Sequence, residues 1–324
     1  TGPKTLLLGS DRMADFGIDV STLHPEGLSV IGRVFVSIGI RWDPFHEFKA
    51  LLRLPNYDIC AVKDLATAPI LGVLNRLRVL PTQLVYLDVI VSHTTPLKRF
   101  LGLVARGATV VVYCSPGLQE VLAVELAVPS QHLEFIPWSV DVGFWKPSPP
   151  EGRQSADDRI ISVGFNDRDY DTFLESVSGL DLTIEIVAQK EMVQPDQNVE
   201  VHTLTPDQLR LAYEKAVLVV LPLKSNLTAS GITSMLEAMA MERPVIATHT
   251  PATEYYSQRG RYVKLVPPGR PDALRQSILE FLRNPEHAQK LATEAREYVV
   301  REFATERQTA DLVRLYRRLS ARSK

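Results

Sequence analysis

The sequence is poor in cysteine and lacks long uncharged apolar runs. Cys60 and Cys114 are its only cysteines among 324 residues, so neither a disulfide framework nor a cysteine-based zinc site can be assembled. Apolar runs such as Leu84–Val91 and Ala216–Leu223 are far shorter than the ~20 residues that a membrane-spanning helix needs. The chain opens without a basic segment followed by an apolar one, so no secretion signal is predicted. We therefore expect a soluble cytoplasmic protein.

An excess of basic charge is also absent. Lys and Arg number 36 against 38 Asp and Glu, which gives a net charge of −2. A protein that neutralises many phosphates usually has a basic excess, so a nucleic-acid partner is not expected. Hydrophobic residues make up 45% and charged residues 23% of the chain, a balance typical of a globular protein rather than a disordered one.

Short β-branched runs alternate with helical periodicity, the pattern of parallel sheets built from βαβ units. A proline-rich stretch near residue 150 divides the chain into two α/β halves, because its prolines fix φ and remove backbone donors. The expected parts are an N-terminal domain (1–147), a linker (148–155), a C-terminal domain (156–305) and a final helix (306–324). The expected strands are Thr5–Leu8, Val34–Ile40, Asp58–Val62, Leu84–Val91, Thr109–Tyr113, Glu134–Pro137, Ile160–Val163, Leu182–Val187, Val199–Thr203, Val217–Leu221, Pro244–Ala247 and Tyr262–Val266.

The most informative segment lies in the second half. A buried strand is expected to end at Pro222, followed by a small polar loop and a helix that starts near Ser230 or Gly231. The start of a helix leaves backbone amides free and is an anion site, and a glycine there lets a phosphate or sugar approach the backbone. Glu237 follows among apolar residues, where a carboxylate needs a polar partner. That partner is either a ligand or a neighbouring backbone amide.

These residues carry a family resemblance. Positions 231–240 (GITSMLEAMA) with 243–248 (RPVIAT) resemble the donor-binding motif of retaining GT-B glycosyltransferases, family 4-like. Three further segments are similar to landmarks of that family: 135–147 (FIPWSVDVGFWKP), 161–174 (ISVGFNDRDYDTFL) and 262–269 (YVKLVPPG). The resemblance implies two Rossmann-like domains that face a central cleft, with the C-terminal helix returning to the N-terminal domain.

The resemblance also implies a function. A hexose would move from a UDP- or GDP-linked donor to a glycan, lipid or small-molecule acceptor, with retained anomeric configuration and no metal or other cofactor. Glu237 would bind the ribose of the donor. The other expected donor-binding residues, which would hold the diphosphate and sugar, are Gly164, Ser230, Gly231, Ile232 and Thr233.

Three side chains are the catalytic candidates. Arg168 stands at or near the position of the family's lysine, and its guanidinium can grip a diphosphate through two hydrogen bonds. Lys224 is a second cation. His93 follows a strand end, where ligands of parallel sheets bind, and the corresponding histidine of the family lies near the donor sugar.

The sequence departs from the family pattern in two informative places. Ala229 stands where the first Glu of the paired-Glu motif is expected, and only Gly9-Ser10-Asp11 remains of the first glycine-rich loop. These departures keep two alternatives open, an inactive nucleotide-sugar-binding or scaffold protein and a nucleotide-sugar epimerase. A dehydrogenase is disfavoured because the Gly-x-Gly-x-x-Gly pattern does not occur.

Two charged clusters allow other interpretations. Asp167 and Asp169 have the spacing of an Asp-x-Asp metal site, but such a site belongs at the centre of a different glycosyltransferase fold, so no metal is expected. Arginines cluster in the last helix, which favours a solvated helix face over an anionic partner or membrane surface. Peripheral contact with the cytoplasmic face of a membrane is the alternative that this cluster raises.

Overall fold

The computed structural model describes most of the chain. The described residues are 10–23, 29, 31, 33, 42–87, 89, 91, 98–149, 159–189 and 198–321. The expected strands Thr5–Leu8 and Val34–Ile40, and most of the expected linker, lie outside these residues.

The chain divides into two compact units. One holds Trp138–Gln308, and the other holds Arg12–Pro137 together with the residues from Thr309 onward. The division therefore falls at Pro137, before the boundary expected at residue 147. Residues 138–147 contact the C-terminal unit: the Trp138 amide donates to the Tyr256 hydroxyl at 2.6 Å, and the fully buried Trp145 packs edge-on against Tyr213.

The N-terminal unit contains a four-stranded parallel sheet, as the strand pattern predicts. Its strands pair in the order β1-β2-β3-β4. They are β1 (Ile59–Lys63), β2 (Gln83–Leu87), β3 (Val110–Tyr113) and β4 (Leu133–Phe135). β3 is buried along its whole length, as expected for a central strand covered on both faces.

Three helices of at least eight residues lie wholly within the described part of this unit. They are α1 (Pro44–Arg53), α2 (Pro69–Arg76) and α3 (Lys98–Ala105). Proline at the first position suits the starts of α1 and α2, because an amide there has no intrahelical acceptor. Asp43 caps α1 by accepting a hydrogen bond from the Phe45 amide.

The C-terminal unit contains a six-stranded parallel sheet in the order β10-β9-β8-β5-β6-β7. Its strands are β5 (Arg159–Val163), β6 (Thr183–Val187), β7 (Val199–His202), β8 (Leu218–Leu221), β9 (Val245–Thr248) and β10 (Lys264–Val266). Both faces of this sheet are covered by buried apolar clusters. The helices of this unit are α4 (Tyr170–Val177), α5 (Pro206–Lys215), α6 (Ile232–Ala240), α7 (Pro251–Tyr256), α8 (Pro271–Arg283) and α9 (Pro285–Glu302).

The last helix, α10 (Thr305–Ser320), begins in one unit and ends in the other. Within the N-terminal unit Arg318 pairs with Glu134 at 2.8 Å, and Arg317 donates to the Phe16 carbonyl at 2.8 Å. The chain therefore returns to its N-terminal unit, as the sequence analysis expected.

Candidate functional site

The strand order of the C-terminal unit fixes where a ligand can bind. β5 pairs with β6 on one side and with β8 on the other, so the chain leaves these central strands toward opposite edges of the sheet. In sheets of this kind the ligand binds outside the carboxyl ends of the strands at that switch point. The loops after β5 and β8 are therefore the walls of the candidate site.

These two loops are bonded to each other. The Lys224 amide donates to the Asp167 carbonyl at 2.9 Å, and the Asp169 amide donates to the Pro222 carbonyl at 3.0 Å. Arg168 and Leu223 form an isolated antiparallel bridge between these contacts. These hydrogen bonds therefore hold the loops after β5 and β8 together without a ligand.

Gly164, the first residue after β5, makes room for the Arg168 side chain. Its φ is +135°, and a Cβ there would lie 1.9 Å from Nη2 of Arg168. Any larger residue would therefore displace the guanidinium. Gly164 is among the residues expected to bind the donor, and in the structure it is buried beside the Arg168 guanidinium.

Arg168 is itself mostly buried, with 8% of its surface exposed. Nε and Nη2 donate to the Val163 carbonyl at 2.9 and 2.7 Å, and Nη1 donates to the Asn166 carbonyl at 2.9 Å. Burial lowers the pKa of Arg168, but a guanidinium remains charged at neutral pH. The guanidinium N–H groups that we expected to bind a diphosphate therefore donate to backbone carbonyls at and after the end of β5. Arg168 is thus a fixed buried cation beneath the site.

Helix α6 begins directly above this cation. Gly231 has φ +82°, and a Cβ there would lie 2.8 Å from Cδ2 of Leu223, so glycine is required by both conformation and space. No side chain caps the helix. The amides of Thr233 and Ser234 come too early in the helix for an intrahelical acceptor, so this end can receive an anion.

Two of the residues expected at this helix start have backbone amides that already bond within the protein. Ile232 is fully buried, and its amide donates to the Ala229 carbonyl at 3.1 Å, so that amide is already used. The amide of Ser230 contacts Thr228 Oγ1 at 3.3 Å. The amides of Thr233 and Ser234 are thus the ones at this helix start that can receive an anion, and Ser234 was not among the residues expected from the sequence.

Glu237 lies in the second turn of α6 and is buried. Its Oε2 is 3.3 Å from the Tyr213 hydroxyl, which also lies 3.4 Å from the Ser234 carbonyl. Burial raises the pKa of Glu237 from 4.5 to about 8, and the contact with Tyr213 acts in the opposite direction. From the sequence, the expected partner of this carboxylate is a ligand or a backbone amide, whereas in the structure its Oε2 contacts a side-chain hydroxyl, that of Tyr213.

The Tyr213 contacts have a consequence for the proton on Glu237. A tyrosine hydroxyl has one proton to donate, and a carbonyl or an ionised carboxylate can only accept. The single Tyr213 proton is therefore shared between Oε2 of Glu237 and the Ser234 carbonyl. Donation to Oε2 lowers the pKa of Glu237, whereas burial raises it, and burial has the larger effect.

Lys224 is the exposed cation of the site. Its backbone is fixed through Asp167, and its carbonyl accepts from Asn226 Nδ2 at 2.8 Å. Its ammonium has no carboxylate within salt-bridge distance among the described residues. Lys224 therefore lies on the loop after β8 with its ammonium available to an anion.

Three other residues that the sequence singled out are His93, Asp169 and Ala229. His93 lies outside the described residues. Asp169 caps α4, accepting from the Thr172 amide at 3.2 Å and the Thr172 hydroxyl at 2.7 Å, so this half of the Asp-x-Asp pair has a structural role. Ala229, where the family pattern has Glu, packs against the apolar core of the unit.

Comparisons with known proteins agree with this architecture. Residues 165–284 match the sequence model of the family described as glycosyl transferases group 1, a span that contains the whole candidate site from Phe165 onward. None of the curated proteins matches the chain in sequence.

Several solved structures are similar over nearly the whole chain. A sucrose-phosphate synthase from Thermosynechococcus elongatus superposes with a TM-score of 0.71 at 18% identity, covering 94% of this chain and 85% of that one. Anabaena HepE in complex with UDP gives 0.70 at 16% identity, with 92% and 85% covered. A glycosyltransferase from Rickettsia africae gives 0.69 at 16% identity, with 93% and 84% covered. At such identities the likeness establishes the fold, which is that of GT-B glycosyltransferase structures.

Proposed function

We propose that this chain is a glycosyltransferase that moves a hexosyl group from a UDP- or GDP-linked donor to an acceptor. The observation that carries the proposal is the uncapped start of α6 at the switch point of the six-stranded sheet, with Glu237 in the following turn. A nucleoside diphosphate has the anion for the first feature and the ribose hydroxyls for the second. The family match over residues 165–284 and the UDP-glucose complex of Anabaena HepE support this choice of donor.

In this proposal each group of the site has a distinct task. The amides of Gly231 and Thr233 bind the diphosphate, and Glu237 binds the ribose. Lys224 contacts the diphosphate from the exposed side. Arg168 acts beneath the helix start as a fixed positive charge, rather than as a clamp on the donor.

The proposed chemistry places negative charge where these groups lie. The bond between the sugar C1 and the diphosphate oxygen breaks, and C1 passes through an oxocarbenium-like transition state. The acceptor hydroxyl bonds to C1 on the face that the diphosphate leaves, and its proton passes to the leaving oxygen, so the anomeric configuration is retained. Preorganised amides and cations stabilise the charge on the leaving group, and the proposal requires no metal.

The N-terminal unit is the proposed acceptor side, and His93 is a proposed polar contact to the donor sugar. A glycan, a lipid and a small molecule remain the candidate acceptors. The proposed location is cytoplasmic. No described helix is both long and apolar enough to cross a membrane.

One observation favours a second candidate, a nucleotide-sugar-binding protein without transfer activity. Ala229 packs into the apolar core, so the position that carries the first Glu of the motif contributes no polar contact to a sugar. A nucleotide-sugar epimerase on the same fold is the alternative enzyme.

Nucleotide-dependent stabilisation tests the binding part of the proposal. A ligand of the folded state increases the free energy of unfolding by an amount that grows with the logarithm of its concentration over its Kd, and the melting temperature rises as a result. We expect UDP or GDP to do so, and no shift with any nucleoside diphosphate would overturn the proposal.

Product analysis then separates the three functions. The sugar donor of whichever nucleotide stabilises the protein is incubated with a panel of sugar, lipid and small-molecule acceptors. A transferase yields a glycosylated acceptor. An epimerase yields an isomerised donor, and a binding protein leaves the donor unchanged. Proton NMR of the anomeric signal of the product tests retention.

A further inference from the structure

Helix α1 of the N-terminal unit is oriented with its aromatic side chains toward solvent. Phe45, Phe48 and Leu52 are 56%, 57% and 66% exposed, although large apolar side chains are ordinarily buried. Their spacing of three and four residues puts them on one face of the helix. These three residues are called the α1 stripe.

The orientation is fixed from the opposite side of the helix by an acid. Glu47 is only 2% exposed, and its Oε1 accepts from the Leu71 amide at 2.6 Å while its Oε2 accepts from the Trp42 indole at 2.7 Å. Leu71 lies in the first turn of α2, where the amides have no intrahelical acceptor. Turning the α1 stripe inward would break both bonds, so the stripe is held at the surface.

The exposed half of α1 carries positive charge only. Lys49 and Arg53 are exposed and adjoin the α1 stripe. The two acids of the segment are turned away from this half, since Glu47 is buried and Asp43 accepts hydrogen bonds from Ser29 and from the start of its own helix. The exposed surface of α1 thus combines aromatic and cationic side chains without an exposed acid.

The neighbouring helix continues this composition. α2 packs against α1, and the four residues at and after its end, Arg76 to Val79, are all exposed. Leu77 is 65% and Val79 is 64% exposed, and each follows an arginine. Apolar and basic side chains therefore alternate at a second place on the same unit.

We propose that the α1 stripe, with Lys49 and Arg53, docks the N-terminal unit onto a bilayer that contains anionic lipids. Aromatic and leucine side chains enter the boundary between headgroups and acyl chains, while adjacent Lys and Arg side chains bind anionic headgroups. This surface is distinct from the nucleotide site and does not depend on glycosyl transfer.

The arginine cluster of α10, which first suggested a membrane partner, does not provide this surface. Arg314 pairs with Asp311, Arg317 with the Phe16 carbonyl and Arg318 with Glu134. These arginines are engaged within the protein.

Vesicle sedimentation with the full chain tests the proposal. The vesicles contain roughly three parts phosphatidylcholine to one part phosphatidylglycerol, or phosphatidylcholine alone as the neutral comparison. We expect binding to the mixed vesicles and at least tenfold weaker binding to the neutral ones. High salt should weaken the mixed-vesicle binding, because it screens the basic side chains.

Two double variants separate the contributions of the surface. Phe45→Ser with Phe48→Ser should abolish sedimentation. Lys49→Gln with Arg53→Gln should weaken it roughly twenty- to thirtyfold, because one basic side chain near an anionic surface contributes about fivefold. The control is Val124→Ser with Leu211→Ser, which removes two exposed apolar side chains elsewhere and should bind as the parent does.

Three results would overturn the proposal. They are no binding of the parent to mixed vesicles, equal binding to neutral and mixed vesicles, and unchanged binding of the Phe45/Phe48 variant. A parent that is dimeric in solution, becomes monomeric in that variant and ignores vesicles would assign the surface to a second copy of the chain. Circular dichroism of each variant checks that it is folded.

Discussion

The Tyr213 hydroxyl lies between two oxygens, 3.3 Å from Oε2 of Glu237 and 3.4 Å from the Ser234 carbonyl. Tyr213 itself is fully buried, and the edge-on contact of its ring with the indole of Trp145 helps to fix its orientation. The proton state and the direction of the Glu237 carboxylate therefore depend on a residue from a different helix.

The pH dependence of stability should report the buried Glu237. Its pKa is raised from 4.5 to about 8, so between these values the folded protein keeps a proton that the unfolded chain has lost. Stability then falls as pH rises through this window, by at most about 1.4 kcal/mol per pH unit, and the full cost is reached above the folded pKa. Glu237→Gln removes the titration.

Urea denaturation at a series of pH values compares the parent with this variant. We expect the difference in unfolding free energy between the two proteins to change across the window in favour of Glu237→Gln at high pH. A difference that is independent of pH would show that Glu237 ionises normally.

Tyr213→Phe should weaken nucleotide binding without removing any group that touches the nucleotide. The Tyr213 hydroxyl lowers the pKa of Glu237, so its loss raises that pKa further and frees the carboxyl to turn. We expect a stability loss of about 1 kcal/mol and a higher Kd for the nucleoside diphosphate. Because the ribose hydroxyls bind to the ionised carboxylate, the variant should also need a higher pH than the parent to reach its full affinity.

Tyr256→Phe is the matched control for this variant. The Tyr256 hydroxyl also bonds within the C-terminal unit, but it accepts from the Trp138 amide at 2.6 Å rather than contacting Glu237. It should lose stability but leave nucleotide affinity unchanged. Equal affinity in parent and Tyr213→Phe would assign Tyr213 to packing alone.

Arg168→Ala should reduce kcat more than it raises the KM for the donor. If the buried cation stabilises the leaving diphosphate chiefly in the transition state, its removal costs about 100- to 1000-fold in kcat. Arg168→Lys should recover only part of this, because an ammonium cannot place two donors on the Val163 carbonyl as the guanidinium does.

Arg243→Ala controls for the structural cost of deleting a buried arginine. Arg243 is 6% exposed and also donates to backbone carbonyls, those of Met241 and Ala216. We expect it to lose stability while retaining kcat. If Arg168→Ala keeps the parental kcat, Lys224 is left as the cation for the leaving group, and kinetics of Lys224→Gln would follow.

Glycosyl transfer should survive an excess of chelator, because amides and cations take the place of a metal in the proposed site. Steady-state rates with and without EDTA provide the measurement. Loss of activity that manganese restores would reinstate the Asp167 and Asp169 interpretation.

Sequence patterns predicted the strands and helices of the molecule better than its side-chain contacts. The parallel strands of both sheets were predictable because β-branched runs alternate with helical periodicity, and the α6 start because Gly231 separates a polar loop from an apolar helix. Helix α1 was not predicted, since its apolar side chains face solvent and Glu47 faces inward, against the usual pattern.

The site shows the same division between local and distant information. Gly231 and Glu237 were identified because their roles follow from positions along one helix. Tyr213 was missed because it lies 24 residues before Glu237 in the chain and has the spacing of an ordinary core residue of α5. The orientation of the Arg168 side chain toward the Val163 carbonyl could not be predicted either, because it depends on the space that Gly164 leaves at the end of β5.

Calorimetric titration of UDP and GDP into the parent and Glu237→Ala tests the central claim most directly. The parent should bind at least one of them, and the variant should bind it with a Kd about 10- to 150-fold higher, the loss of a hydrogen bond to a charged group. Glu214→Gln, which alters another buried glutamate whose Oε1 accepts from the Ser148 amide, should bind as the parent does. Equal affinities of parent and Glu237→Ala, or no binding by the parent, would contradict the account.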